Sequence, residues 1–122
     1  MEQIPLFERL GGREGVRRLS EQVVANHYVN PRIASRYAHG SKSRPDLVDS
    51  VTEFFCTGLS GVPTYEGPAV PDVHTGMNIS DAEFVAVLDD AMAAMATLGI
   101  GEAEQAEVLA ILYGMEPDVV HL

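Results

Sequence analysis

Apolar residues recur at helical spacing in four segments of the chain and therefore predict four main helices. These segments run from Arg13 to about Tyr28, from about Asp46 to Leu59, from Asp81 to near Leu98, and from about Glu102 to Tyr113. A short amphipathic turn, Leu6–Leu10, precedes them and is stopped by two glycines. No segment alternates apolar and polar residues over a length that would build a sheet, so the pattern predicts an all-α fold.

Local signals at the helix ends agree with this division. Ser80 and Glu83 have the S-x-x-E spacing of a capping box and mark the start of the third long helix. Ser43 is predicted to cap the second one, whose first turn tolerates Pro45 because that amide has no partner within the helix. The first long helix is predicted to end at Asn30-Pro31, since a residue before proline avoids the helical conformation.

Residues 60–78 differ from the rest because glycines and prolines interrupt them repeatedly. A loop of this length inside a compact domain is uncommon and is usually functional. The segment carries His74, and a loop histidine by itself is more often a surface residue than a ligand. Its apolar neighbours Val73, Met77 and Ile79 favour a loop that folds inward. The segment is therefore the first place to look for a site.

Composition and charge narrow the class of protein. The chain has 122 residues, 46% of them hydrophobic, and its 18 acidic against 8 basic residues give a net charge of −10. This length suits one domain and this apolar content argues against disorder, while the acidic balance argues against binding nucleic acid. The single cysteine, the absence of a signal-peptide pattern and the shortness of every apolar run predict a small cytoplasmic domain with no membrane segment.

Several common chemistries find no support in the residue spacing. The four histidines lack the spacing of a structural zinc motif, and no glycine-rich phosphate loop is present. Cys56 follows two phenylalanines on a predicted helix and is interpreted as buried apolar filler rather than a nucleophile. Asp89 and Asp90 are interpreted as a solvated helix surface rather than a general acid and base.

Four motifs occur in order along nearly the whole chain: Leu6-Phe7-Glu8-Arg9-Leu10-Gly11-Gly12, Asn30-Pro31-Arg32-Ile33, Tyr65-x-Gly67 followed by Val73-His74, and Ile79-Ser80-x-x-x-Phe84. In this order and spacing the sequence resembles the truncated haemoglobins, and most closely their first group, which has a two-over-two helical sandwich. The resemblance implies one globin domain over residues 1–122 with a noncovalently bound haem b. It also accounts for both the short first helix and the long irregular segment.

Carried over to this chain, the resemblance makes His74 the proximal ligand of the haem iron and leaves the opposite axial position to a diatomic gas. Tyr65 matches a residue that reaches a haem propionate in relatives. Arg44 and Lys42 are either further propionate partners or simply solvated. The haem-lining positions of the family correspond to five residues, for which ordinary core packing is the alternative: Phe54, Phe55, Phe84, Val87 and Leu88.

The chain departs from the family pattern on the distal side of the haem. Val24 stands where the family usually has a tyrosine that hydrogen-bonds bound oxygen, and valine cannot donate a hydrogen bond. Tyr37 stands where a phenylalanine usually packs on the haem, and its hydroxyl either replaces the missing donor or points into solvent. His39 or His27 is a further candidate for a sixth iron ligand, against the simpler interpretation of both as surface or half-buried residues.

The function implied by the resemblance is reversible binding of a diatomic gas, oxygen or nitric oxide. The alternative is a globin-fold sensor or interaction module that holds no haem stably. Nitric-oxide dioxygenation or peroxidase-like activity would require a separate reductase, because the chain has no flavin or nicotinamide fingerprint. Both a monomer and a homodimer are compatible with the sequence.

Overall fold

Helices make up nearly all regular structure in the residues that the computed structural model describes, which are 4–38, 43–60 and 76–120. Within these ranges the β-structure is limited to an isolated bridge between Ile79 and Val120, so the predicted all-α class is confirmed. The helices are α1 (Leu6–Arg9), α2 (Gly12–Val29), α3 (Ala34–Ala38), α4 (Arg44–Ser60), α5 (Asp81–Thr97) and α6 (Glu102–Tyr113), followed by a 3₁₀ turn over Glu116–Asp118.

The predicted helix-capping residues form the expected hydrogen bonds. The Glu83 amide donates to the Ser80 hydroxyl at 3.1 Å, and the Ser80 amide donates to the Glu83 carboxylate at 3.1 Å, which completes the capping box of α5. The Asp46 amide donates to the Ser43 hydroxyl at 3.3 Å. Helix α4 begins two residues before the predicted start, because Pro45 fits its first turn without an amide hydrogen.

A glycine-dependent corner joins α1 to α2. Gly11 has a φ of 98°, a left-handed conformation that L side chains rarely adopt. At Gly15 the two helices approach so closely that a Cβ atom would lie 1.9 Å from the Leu10 carbonyl oxygen. The sequence therefore needs glycine at position 15 for steric reasons, although that residue lies inside a helix.

Helix α3 was not predicted from the sequence. The Asn30 side chain accepts a hydrogen bond from the Arg32 amide at 3.0 Å, and the Ala34 amide donates to the Asn30 carbonyl at 2.7 Å. These contacts turn the chain after α2 and start α3. A helix of only five residues is too short to show an apolar period, so contacts with other helices decide its presence.

Helix α2 lies at the centre and packs against α3, α4 and α5, while α6 packs against α5. The buried residues of α2 recur every three or four positions, in agreement with the helical spacing that predicted it. The main core contains ten buried residues from five helices and their ends: Leu10, Val16, Leu19, Val23, Phe55, Cys56, Ala91, Ala94, Met95 and Val108.

Long-range ion pairs connect the two halves of the chain. All eight Lys and Arg residues lie within residues 1–44. Among Asp, Glu, Lys and Arg, residues 45–122 therefore contain only the acidic types. Each exposed ion pair contributes at most about 1 kcal/mol to stability. Together the pairs link basic side chains of the first 44 residues to acidic side chains of the later helices. The pairs are Arg9 with Glu104 and Glu107, Arg13 with Glu53, Arg17 with Asp49, Arg32 with Asp89, and Arg36 with Glu83.

Candidate functional site

The residues predicted to line a haem lie on α4 and α5, the two helices that flank residues 61–75. Both helices pack against α2. On α4, the rings of Phe54 and Phe55 are 5.9 Å apart; Phe55 is buried in the main core and Phe54 is partly exposed. Neighbouring Cys56 is also buried, and burial raises the pKa of its thiol, in agreement with its interpretation as apolar filler.

The three predicted residues on α5 lie on two different sides of that helix. Val87 is partly exposed and lies four residues after Glu83 and three before Asp90. The Glu83 carboxylate accepts from Arg36 of α3, and the Asp90 carboxylate contacts His27 of α2. Leu88 lines a groove of about 480 Å³ between α5 and α6. It packs with Phe84 in a small cluster that includes Leu109, Leu112, Val119 and Val120. The structure thus groups Phe84 with Leu88 and places Val87 on the side facing α2 and α3.

Val24, the position of the missing distal tyrosine, is completely buried on α2. Arg44, at the start of α4, is exposed, and its guanidinium carbon lies 5.0 Å from the centre of the Tyr28 ring. This is a cation–π distance. Arg44 therefore has an aromatic contact on α2 and a side chain that remains open to solvent.

A buried polar cluster lies between α2 and α5, and it corrects two expectations. Asp90, interpreted from the sequence as solvated, is only 9% exposed, and His27 is only 5% exposed. His27 Nδ1 lies 2.7 Å from Asp90 Oδ2, and Asn30 Nδ2 donates to Asp90 Oδ1 at 3.0 Å. The solvated interpretation holds for Asp89, which is exposed and pairs with Arg32.

The protonation of this cluster follows from its burial. Burial lowers the pKa of His27 and outweighs the opposing effect of the Asp90 hydrogen bond and charge. The imidazole is therefore neutral at pH 7. A neutral ring pairs with the Asp90 carboxylate oxygen through a proton on Nδ1, so this is the tautomer that fits the contact.

Tyr37 of α3 completes the cluster from the other side. Its ring stacks on the His27 ring with centroids 5.1 Å apart and planes 17° apart, and it contacts the Tyr28 ring at 5.8 Å. Burial, together with the negative charge of Asp90, raises the pKa of Tyr37 to about 12. The phenol therefore keeps its proton at neutral pH.

The sequence carries a signal for this cluster. His27 falls on the apolar face of α2, one turn after Val23 and Val24, where a polar residue requires a partner. Asp90 similarly lies four residues after Ala86 and four before Ala94, both of which are completely buried on α5. Two polar residues on apolar helix faces indicate a buried pair. The sequence does not show that these two faces meet, because His27 and Asp90 are 63 residues apart.

Four predicted residues lie outside the described part of the chain: His39, Lys42, Tyr65 and His74. Within the described ranges no group of three or more His, Cys, Asp or Glu side chains is arranged to hold a metal ion. In those same ranges no helix combines the length and the apolar character needed to cross a bilayer.

Comparison with known proteins gives consistent results. A family model described as bacterial-like globin matches residues 5–121. A group 1 truncated haemoglobin from Mycolicibacterium paratuberculosis is 25% identical, over 97% of this chain and 85% of that protein. The truncated haemoglobin of Tetrahymena pyriformis in its Fe(III) form superposes with a TM-score of 0.90 at 19% identity, covering 98% of this chain and 100% of that one. The 2/2 haemoglobin of Synechococcus gives a TM-score of 0.87 at 17% identity, covering 96% and 98%.

Proposed function

The chain belongs to the bacterial-like globin family, and from that premise we propose that it binds one haem b noncovalently and takes up a diatomic gas, oxygen or nitric oxide, reversibly. In this proposal His74 is the iron ligand, and the gas binds on the opposite side. The match of the family across residues 5–121 is the observation that carries the proposal.

Apolar side chains on α4 and α5 support the proposal of a flat apolar group bound next to these helices. Phe54 on α4 and Val87 on α5 are apolar side chains left partly exposed on the helices that flank the segment containing His74. Covering such surface with a porphyrin ring is favourable by about 25 cal/mol per Å² of apolar area removed from water. Phe55, Phe84 and Leu88, which are more deeply buried, would support this surface from behind.

Basic and phenolic groups are proposed for the haem propionates. Arg44 is exposed at the start of α4, and its contact with the Tyr28 ring leaves its guanidinium nitrogens able to bind a carboxylate. Lys42 and Tyr65 are the other candidates, on the basis of the family resemblance alone.

The distal side is proposed to be apolar along α2 and polar near α3. Val24 provides only apolar contact at the position where relatives have a hydroxyl. His27 lies one helical turn after Val24 on α2, and Tyr37 stacks on the His27 ring. Tyr37 retains its phenol proton at neutral pH. We therefore assign the distal hydrogen-bond donor to Tyr37, which α3 rather than α2 carries.

Haem uptake tests the proposed function directly. The purified chain titrated with hemin should develop a Soret band at one equivalent, and His74→Ala should lose the spectrum of the imidazole-ligated iron. Added imidazole should restore that spectrum in the variant, while the control His121→Ala, at a histidine outside every proposed site, should behave like the parent protein. A chain that remains colourless, or a His74→Ala spectrum identical to the parent's, would contradict the proposal; the colourless result would favour the haem-free interaction module.

A further inference from the structure

Asp90, His27 and Tyr37 form a buried cluster. Haem binding through His74 and gas binding on the opposite side do not by themselves require this cluster. We propose that Asp90 and His27 are positioning residues that fix the ring of Tyr37, so that its hydroxyl serves the distal side in place of the one missing at position 24. This inference rests on the proposed function for the role of Tyr37. The positioning itself concerns only residues that the structure describes.

The first step is that Asp90 fixes the His27 ring. Its Oδ2 accepts from His27 Nδ1 at 2.7 Å, and its Oδ1 accepts from Asn30 Nδ2 at 3.0 Å. Asn26 Nδ2 donates to the Asp90 backbone carbonyl at 3.0 Å. Two residues of α2 and its C-cap residue Asn30 thus hold one residue of α5. Because the carboxylate is held on both oxygens, the plane of the imidazole and the position of its proton are fixed.

The second step is that His27 fixes the Tyr37 ring. The two rings are nearly parallel, with centroids 5.1 Å apart, and Tyr28 contacts Tyr37 from a different angle of 38°. Helix α3, which carries Tyr37, is too short to define the side-chain direction by its own packing. Within the described ranges the two aromatic contacts of Tyr37 are with His27 and Tyr28 of α2, and these contacts orient its ring.

The third step concerns the proton on the phenol. Burial and the charge of Asp90 hold the pKa of Tyr37 near 12, so the hydroxyl is a donor and not a phenolate at neutral pH. A phenolate would compete for ferric iron as a ligand, as tyrosine does in some haem proteins. Asp90 therefore disfavours the phenolate of Tyr37 through its charge, while its structural link to this ring runs through His27.

The positioning is tested first on haem-free protein by nitrogen-edited NMR of the imidazoles. His27 should show the Nδ1–H tautomer and ring-proton shifts that move in Tyr37→Leu, which removes the stacked ring, and stay nearly unchanged in Tyr37→Phe, which keeps it. Asp90→Asn should reduce the Nδ1–H population and broaden the Tyr37 ring signals, whereas Asp89→Asn, a matched change at an exposed neighbour, should leave both unaltered. If Asp90→Asn does not fold, Asn30→Ala removes one donor to Asp90 and should give a smaller shift in the same direction. Unchanged His27 signals in both variants would overturn the positioning pair.

The consequence is tested on the haem-loaded protein. Losing one neutral hydrogen bond worth about 1 kcal/mol makes oxygen dissociation about fivefold faster, and this is expected for Tyr37→Phe. Asp90→Asn should give part of the same acceleration and move the carbonyl stretching frequency of the carbon monoxide complex toward that of Tyr37→Phe. A merely structural role for Asp90 would lower the melting temperature and leave that frequency in place, which would overturn the proposal.

The two proposals fail in distinguishable ways. A chain that takes up no haem overturns the proposed function and, with it, the distal role of Tyr37, while the NMR result on haem-free protein still decides the positioning. A chain that takes up haem but whose carbon monoxide complex is insensitive to both Tyr37→Phe and Asp90→Asn overturns the further inference and the assignment of Tyr37 as distal donor. Haem binding through His74 is then unaffected.

Discussion

Removing the Asp90 side chain provides the sharpest test of the buried cluster. Asp90→Ala takes away the acceptor for His27 Nδ1 and the acceptor for Asn30 Nδ2. The His27 side chain is only 7% exposed, so its N–H would be left without water as a replacement partner. Asn30 is half-buried and can recover part of its bonding from solvent.

The expected loss of stability follows from these contacts. A hydrogen bond to a charged acceptor contributes about 1.5–3 kcal/mol, and an unsatisfied buried donor costs about 1–3 kcal/mol. With the better-solvated Asn30 bond counted at the low end, Asp90→Ala should lower the free energy of unfolding by about 3 kcal/mol. The matched control Asp89→Ala breaks an exposed pair with Arg32 and should cost at most about 1 kcal/mol.

The assay is urea unfolding of both variants and the parent at pH 7.5, followed by far-UV circular dichroism. A second arm uses pH, because the pKa of folded His27 lies below the ordinary value of 6.5. The unfolded chain then binds a proton that the folded chain rejects, so stability is full above about pH 6.5 and falls as the pH drops toward the folded pKa. His27→Gln should show a flatter dependence over that window.

Two results would refute this reasoning. One is an Asp90→Ala variant that loses no more stability than Asp89→Ala, which would mean that the cluster contributes nothing beyond a surface pair. The other is an Asp90→Ala variant with the expected loss but a His27→Gln variant whose pH dependence matches the parent's, which would mean that His27 titrates normally.

Three further predictions concern the glycine at the α1–α2 corner, the ion pair between Arg36 and Glu83, and the distal position Val24. Gly15→Ala should destabilise the fold because its Cβ would meet a backbone carbonyl, whereas the control Gly58→Ala, where the Cβ finds ordinary contact, should be neutral or stabilise by up to about 1 kcal/mol in thermal unfolding. Hydrogen bonding to Arg36 lowers the pKa of Glu83 to about 2, so the contribution of this pair persists down to about pH 4.5 and is lost as the pH falls toward 2; Arg36→Met should remove that part of an acid-unfolding curve. In haem-loaded protein Val24→Tyr should slow oxygen dissociation about fivefold in stopped-flow measurements, and an unchanged or faster rate would count against the apolar distal side.

Most of the helical framework was predictable, because its signals are local. The resemblance to truncated haemoglobins is confirmed by the family match and by the superposition on solved relatives. The capping box at Ser80 and the cap at Ser43 are also confirmed. Helix α3 was missed because five residues cannot show a period, and its contacts with α2 and α5 come from elsewhere in the chain.

The candidate site was predictable only in part. The resemblance assigned Phe54, Phe84 and Val87 by their order in the chain, and the structure places them on helices that share α2 as a packing surface. The side that each faces was not predictable, since Phe84 packs towards α6 whereas Val87 lies on the α2 side. His74 remains a prediction from the resemblance.

The sequence alone determined the ends of every described helix except α3 to within two residues, because caps, glycines and a repeat of 3.6 residues act over a few neighbouring positions. Only the tertiary structure decided that Asp90 is buried while Asp89 is solvated, and that His27 meets Asp90 from 63 residues away. The physical reason is that a helix period defines a face to within about one residue, whereas burial of a polar side chain depends on what the crossing helix presents to it.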